Sequence, residues 1–352
     1  MVSSVNTLHC SRWCQCLDQR DRIFATNSLT SKHSLRVVPD YDRPIEEVYT
    51  EFSARNLHHD DGKINLLSYH SKPNNLDNLA SWVVDWTTPK RTAQELRGRA
   101  SLDWDPPGRE IEYGILHVYA VAGASIFGLA ETDQFTDSAL TEPKRGPKLG
   151  QMLRTFVSAA KRTGCIAHDN EEIVYALHRV LLAGEYAEAV SPPRPDYPSL
   201  RTGQRFLERM LNPEPDGEKP SVNDSVTILA TIKERCQGRK LCITSNGAFG
   251  LVPSYAEPGD QIAVVLGCNN AIVLRDKGPD YELVGDAWLD GFMDGEALLG
   301  PVPPRYQVLN DRQHPMVLRP LFLDLETREI TLQDPRKLIP RAPPKVVRIR
   351  IV

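Results

Sequence analysis

Between Gly238 and Leu298, glycines cut the chain into runs too short for stable helices and too apolar for surface loops. Lys240–Thr244, Gly250–Pro253, Gln261–Leu266, Ala271–Leu274 and Tyr281–Val284 are rich in β-branched and aliphatic side chains, and Asn246-Gly247, Pro258-Gly259-Asp260, Gly267 and Lys277-Gly278 stand between them. That spacing predicts antiparallel strands joined by tight turns. A small barrel or curled sheet is the expected closure, because an open sheet leaves edges of unpaired N–H and C=O groups. Gly247, Gly259, Gly267, Gly285, Gly291 and Gly295 are expected to supply the positive φ angles of these turns.

Upstream the period changes. Met152–Arg162, Glu171–Ala183, Leu200–Leu211 and Val222–Arg235 read as helices separated by Pro- and Gly-bearing loops, with Asn212–Pro220 as a linker. Nearer the start, Pro44 suits a first helical position, and Ile45, Val48, Tyr49 and Phe52 fall at i, i+3, i+4 and i+7, so one face of that helix is buried. Leu116–Val121 alternates with period two and predicts a strand. The wider stretch Ile111–Ala130 contains Glu112 and His117, and its apolar part falls short of the roughly 20 residues a membrane span requires, so it reads as buried strand and turn. Trp82 and Trp86 are expected core anchors, since large aromatics carry the greatest burial energy.

With 41% hydrophobic and 25% charged residues the chain has the composition of a folded protein, and its 27 prolines imply many loops. A net charge of −4 gives no general attraction to nucleic acid or to an anionic membrane. The locally basic end, Asp334–Val352, offers a nucleic-acid arm or, preferably, an extended surface tail or added edge strand, because its charges are few and no aromatic platform accompanies them. No apolar run of signal-peptide length follows Met1, and seven cysteines, an odd number, suit reduced thiols. A cytoplasmic location is expected.

Candidate chemistry is sparse. His9, Cys10, Cys14 and Cys16 carry zinc-ligand atoms, but their spacing matches no familiar knuckle. His58, His59, Asp60 and Asp61 offer a second metal set, against which stands the divergence of adjacent residues on a helix. Gly123-Ala-Ser125-Ile-Phe127-Gly128 approaches the hydrolase elbow but has Phe127 where glycine is needed, so a buried turn is the preferred reading. Asp286, Asp290, Asp294 and Glu296 could gather a hard cation or act as acid and base, yet they lack the EF-hand order and sit beside glycines, which favours turn chemistry with side chains bonding local backbone. No phosphate loop or dinucleotide fingerprint occurs. The expected sets of catalytic, cofactor-binding and metal-binding residues are therefore all none, and no cofactor is expected.

Several segments, in order, resemble the region that follows the effector domain in fungal heterokaryon-incompatibility (HET domain-containing) proteins. Asp18–Ala25 resembles the family's Asp-Pro-Arg-Asp-Lys-Val-Tyr-Ala segment, Pro39-Asp40-Tyr41 with Val48-Tyr49 resembles its helix entry, and Ser81–Trp86 resembles its Ser-Trp-Val-Pro-Asp-Trp with Val84 at the usual proline. Gly238–Pro253, Gly259–Cys268 and Leu283–Leu298 are the most specific stretches. Ala120 and Ala124 depart from a family strand pattern that Leu116, Val118 and Ile126 meet. The family's effector domain, itself similar to Toll/interleukin-receptor domains, is expected before Asp18, where only 17 residues stand. A gene model that begins too late and a shortened relative both account for this.

Together these readings predict an α+β chain, mostly helical in its N-terminal and central part, with a C-terminal small antiparallel β-barrel-like module. Its expected divisions are an unstructured Cys-rich start at 1–17, a mixed α/β segment following the missing effector domain at 18–130, a helical region ending in a Pro-rich linker at 131–220, a helix plus the barrel-like module at 221–300, and a Pro-rich, basic tail at 301–352. The resemblance implies a non-catalytic sensing or scaffolding role in fungal non-self recognition and the associated cell-death response, with protein partners and with neither membrane nor nucleic acid. The alternatives are a hydrolase with a spatially assembled Cys/Ser-His site and a small-barrel peptide or nucleic-acid binder, the latter needing Phe249, Tyr255, Tyr281 and Trp288 in one groove.

Overall fold

The computed structural model describes residues 4–28, 35–59, 64–70, 72, 74–88, 96, 98–102, 104, 108–132, 145–166, 169–212, 221–311, 319–339 and 342–352. Helices and strands are both abundant, as an α+β chain requires. The helices are α1 (Ser4–Ser11), α2 (Asp21–Phe24), α3 (Ile45–His59), α4 (Arg145–Arg162), α5 (Asn170–Leu181), α6 (Leu200–Leu211), α7 (Val222–Cys236) and the single turn α8 (Glu296–Leu299). The strands are β1 (Glu110–Glu112), β2 (Ile115–Glu131), β3 (Val190–Ser191), β4 (Arg239–Thr244), β5 (Phe249–Pro253), β6 (Gln261–Val265), β7 (Ala271–Lys277), β8 (Asp280–Leu289), β9 (Tyr306–Asp311), β10 (Pro320–Asp324), β11 (Ile330–Thr331) and β12 (Val346–Ile351).

Local chemistry sets the helix starts. Asp169 caps α5 by accepting from the Glu172 amide at 2.9 Å, and the Glu172 carboxylate reaches back to the Asp169 amide. Ser199 and Ser221 cap α6 and α7 by accepting from the Thr202 and Asp224 amides at 3.1 Å, each such cap contributing about 1 kcal/mol. The six turn glycines expected from sequence all have positive φ. At Gly247 (φ 86°) there is a second constraint, because a Cβ would stand 2.6 Å from the Cys165 carbonyl oxygen.

Pairing in the main sheet runs β2–β4–β5–β8–β7–β6, and β6 pairs again with β2. One long strand makes this possible. Residues 126–131 of β2 pair with β4, residues 120–125 pair with β6, and the register shifts between Ala122 and Ala124. Gly123 lies at that shift, where a Cβ would stand 2.6 Å from the Ile262 carbonyl oxygen. The turn expected around Ser125 is therefore absent: Ser125 lies within an unbroken strand, paired with Gln261. Strand β12 adds a further link, antiparallel to residues 116–121 of β2 and joined to β8 through Ile351 and Tyr281. The sheet thus recruits strands from the segments assigned to 18–130 and 301–352 as well as from 221–300. The basic tail is an added strand, with Arg350 paired to Asp280 at 2.8 Å and Arg348 paired to Glu110.

The strand runs read as continuous apolar stretches because both faces of the sheet are covered. Along β7, Ala271 and Val273 face a core shared with α4–α7, whereas Ile272 and Leu274 face a core built from α1, α3, Leu66, Trp82 and Trp86. Trp82 and Trp86 are fully buried, as expected, and Trp82 Nε1 donates to the Gly114 carbonyl at 2.8 Å. Among the described residues the Cys-rich start, expected to be unstructured, instead carries a helix. Val5 and Leu8 of α1 are buried, and the adjoining Arg12 guanidinium stands 4.5 Å above the Trp86 ring and donates to the Tyr69 carbonyl.

A second sheet, β11–β10–β9–β3, is four-stranded, with β3 parallel to β9. It ties the segment after α5 to the region beyond α8. The expected linker at 212–220 lies outside the described residues from 213 onward. Among the described residues no helix is long and apolar enough to cross a membrane.

Candidate functional site

The end of β8, which carries Asp286, and the acidic loop that follows it are where distant parts of the chain converge. Asp286 is buried, and Arg239 of β4 binds it through two contacts of 3.0 Å, one to the carboxylate and one to the backbone oxygen. Asn270 donates to its second carboxylate oxygen at 3.2 Å. Asp290 pairs with Arg179 of α5 at 3.2 Å. Asp294 pairs with Arg99, and its backbone oxygen accepts from Arg336 at 2.8 Å. Arg336 is itself held by Asp334 at 2.7 Å.

Turn chemistry with local backbone bonding is therefore not the whole account of Asp286, Asp290 and Asp294. Each accepts an arginine delivered from another segment, and a charge-assisted pair between such groups is stronger than an Asx-turn bond. Glu296 bonds locally, accepting from the Asp294 amide at 2.7 Å. Burial, and then the charge of Asp294, push the Glu296 carboxyl up to about 7. Burial alone would lower the Arg179 guanidinium, but Asp290 and the neighbouring Tyr175 and Tyr186 hold it above its ordinary value. Sequence spacing carried no sign of these pairs, because every arginine partner lies at least 47 positions from its acid or on another element.

Beside this loop is a cavity of about 340 Å³, lined in part by Arg99, Arg179, Gly184, Trp288, Asp294 and Val308. Arg99 is buried and its Nη1 has no hydrogen-bond partner among the described residues. Gly184 (φ 73°) brings its backbone against the indole, since a Cβ there would stand 2.9 Å from Trp288 Cζ2.

The other candidate groups do not assemble. Among the described residues no group of three or more His, Cys, Asp or Glu could hold a metal ion. Cys10 and Cys14 are exposed, and the His9 ring packs edge-on against Tyr69. His58 is exposed, and Asp60 and Asp61 lie outside the described residues. Burial pushes the Cys236 and Cys242 thiols up to about 12 and the Cys268 thiol to about 11, away from the thiolate that a nucleophile requires. Phe249 and Trp288 are core residues, whereas Tyr255 is exposed, so these aromatics do not form one open groove.

Residues 223–300, from α7 through the acidic loop, match the Het-6 beta-barrel domain. This region is similar to the fungal heterokaryon-incompatibility proteins. The chain is 39% identical over 64 residues to heterokaryon incompatibility protein 6, OR allele, of Neurospora crassa, a match that covers 17% of this chain and only 9% of that protein. No solved structure matches the chain. The Het-6 match contains Asp286, Asp290, Asp294 and one of their arginines, Arg239, whereas Arg99, Arg179 and Arg336 come from outside it.

Proposed function

We propose that this chain is a non-catalytic sensing or scaffolding component of heterokaryon incompatibility, acting through protein contacts in fungal non-self recognition and the cell-death response. The observation that carries this reading is the Het-6 match over residues 223–300. The structural setting of that region supports it. Its acids are engaged by arginines that anchor helices and loops, an arrangement suited to holding surfaces in fixed relation. Its buried thiols are held in the protonated form. The closed circuit of pairings through β2, β4, β5, β8, β7 and β6 is read as the small barrel of this family, completed by a strand from outside the matched residues.

On this reading the cell-death output comes from an effector domain, and the present region transmits recognition to it. The test is genetic. The gene is deleted in the source fungus, and the viability of fusion cells is scored against strains of different incompatibility type. Loss of the incompatibility reaction on deletion, with restoration by the intact chain, is the expected result. Unchanged viability in all pairings would defeat the proposal.

A further inference from the structure

The cavity beside the acidic loop has features that an internal seam between packed elements does not need. Its wall joins loop 98–99, the end of α5 and the segment after it, β9 and the acidic loop. A volume of about 340 Å³ is within the range of small-molecule sites. Trp288 supplies a broad apolar wall, and Gly184 keeps the space beside its ring free of a side chain. A buried guanidinium nitrogen without an acceptor is costly, so Arg99 Nη1, which has no partner among the described residues, is a donor suited to an incoming oxygen.

Charge narrows the class of ligand. The lining guanidiniums are already matched, Arg99 by Asp294, Arg179 by Asp290 and Arg194 by Asp196. Glu185 is matched by Arg235 at 2.6 Å and also accepts from the Tyr197 hydroxyl. Asp311 adds another acid to the wall. No surplus positive charge remains among these residues to attract a phosphate or another dianion.

We infer that this cavity binds a small, flat compound of no net charge whose carbonyl or carboxylate oxygen accepts from Arg99 Nη1 while its ring lies against Trp288. The inference stands apart from the protein-contact role, since either can hold without the other. If both hold, the ligand bridges the acidic loop and α5 and stiffens the junction that the Asp290–Arg179 pair makes.

The test uses the full chain and three probes: benzamide, which is neutral, L-phenylalanine, which is zwitterionic, and phenyl phosphate, which is dianionic. Binding is measured by saturation-transfer NMR and calorimetry. Saturable binding of benzamide or phenylalanine is expected, weakened about tenfold or more by Arg99→Gln and by Val308→Phe, which fills the cavity without touching an ion pair. Circular dichroism confirms that each variant is folded, and Val308→Phe decides the matter if Arg99→Gln is not. Absence of saturable binding by both neutral probes, tighter binding of phenyl phosphate than of either, or binding undiminished by Val308→Phe would overturn the inference.

Discussion

Arg239 and Asp286, 47 residues apart, meet as an ion pair of 3.0 Å whose side chains are only 1% and 3% exposed. Both charges are taken out of water inside the sheet, and their cost is met by their mutual attraction and by the Asn270 amide. Arg239→Met leaves the Asp286 carboxylate buried without its main partner, and a loss of about 3–5 kcal/mol in unfolding free energy is expected from urea denaturation. Replacing both, Arg239→Met with Asp286→Leu, recovers most of that loss. Equal destabilisation by the single and double variants would show that packing, and not the unpaired charge, is responsible.

The Ser81 hydroxyl accepts from the Leu283 amide at 2.8 Å and donates to the Val352 oxygen, while the Ser81 amide also donates to that oxygen at 2.9 Å. One side chain thereby fastens the Trp-rich segment to β8 and to the end of β12. Ser81→Ala leaves a buried N–H without an acceptor, which predicts a loss of about 1–3 kcal/mol and faster hydrogen exchange at Leu283. Unaltered exchange at that amide would refute the assignment.

Gly203 of α6 lies against the imidazole of His178, so that any Cβ at 203 would overlap the ring. Gly203→Ala is accordingly expected to destabilise by about 1–3 kcal/mol despite the better helix propensity of alanine. The thermal midpoint measures this, and a rise in the midpoint would contradict the tight contact.

Opposing titrations shape the pH dependence. Burial, followed by nearby cations, lowers His70 to about 3 and His178 to about 4, so the unfolded chain binds these protons first as pH falls. Their contribution is complete above about pH 6.5 and is lost as pH falls towards 4 and then 3, at up to about 1.4 kcal/mol per pH unit for each histidine. Glu296 works the other way. Raised to about 7, it favours the fold below about pH 4.5 and loses that contribution as pH rises to 7. Urea midpoints measured from pH 4 to 8 should rise to about 6.5 and then dip, and Glu296→Gln should remove the dip.

Thiol accessibility gives a direct check on the core. Cys10 and Cys14 are exposed, whereas Cys236, Cys242 and Cys268 are buried with raised pKa values. Ellman's reagent on the native chain should label the first two at the rate of free thiols, and the buried three only after denaturation. Rapid native labelling at Cys242 would be incompatible with its position in β4.

The sequence by itself determined the elements and their punctuation. Apolar spacing marked α3, α6 and α7, β-branched runs between glycines marked β4 to β8, and collinear segments marked the family. These features were legible because backbone preference and turn geometry depend on neighbours a few positions away. Only the tertiary structure decided how they close. The bulge at Gly123 lets β2 serve both β4 and β6, and β12 reaches back across more than 200 positions to meet β2. The acidic loop was visible as a cluster, but its role was not. Whether Asp286, Asp290 and Asp294 bond their own turn or receive Arg239, Arg179 and Arg99 depends on which guanidiniums folding brings within reach, and electrostatic partners carry no sequence spacing of their own.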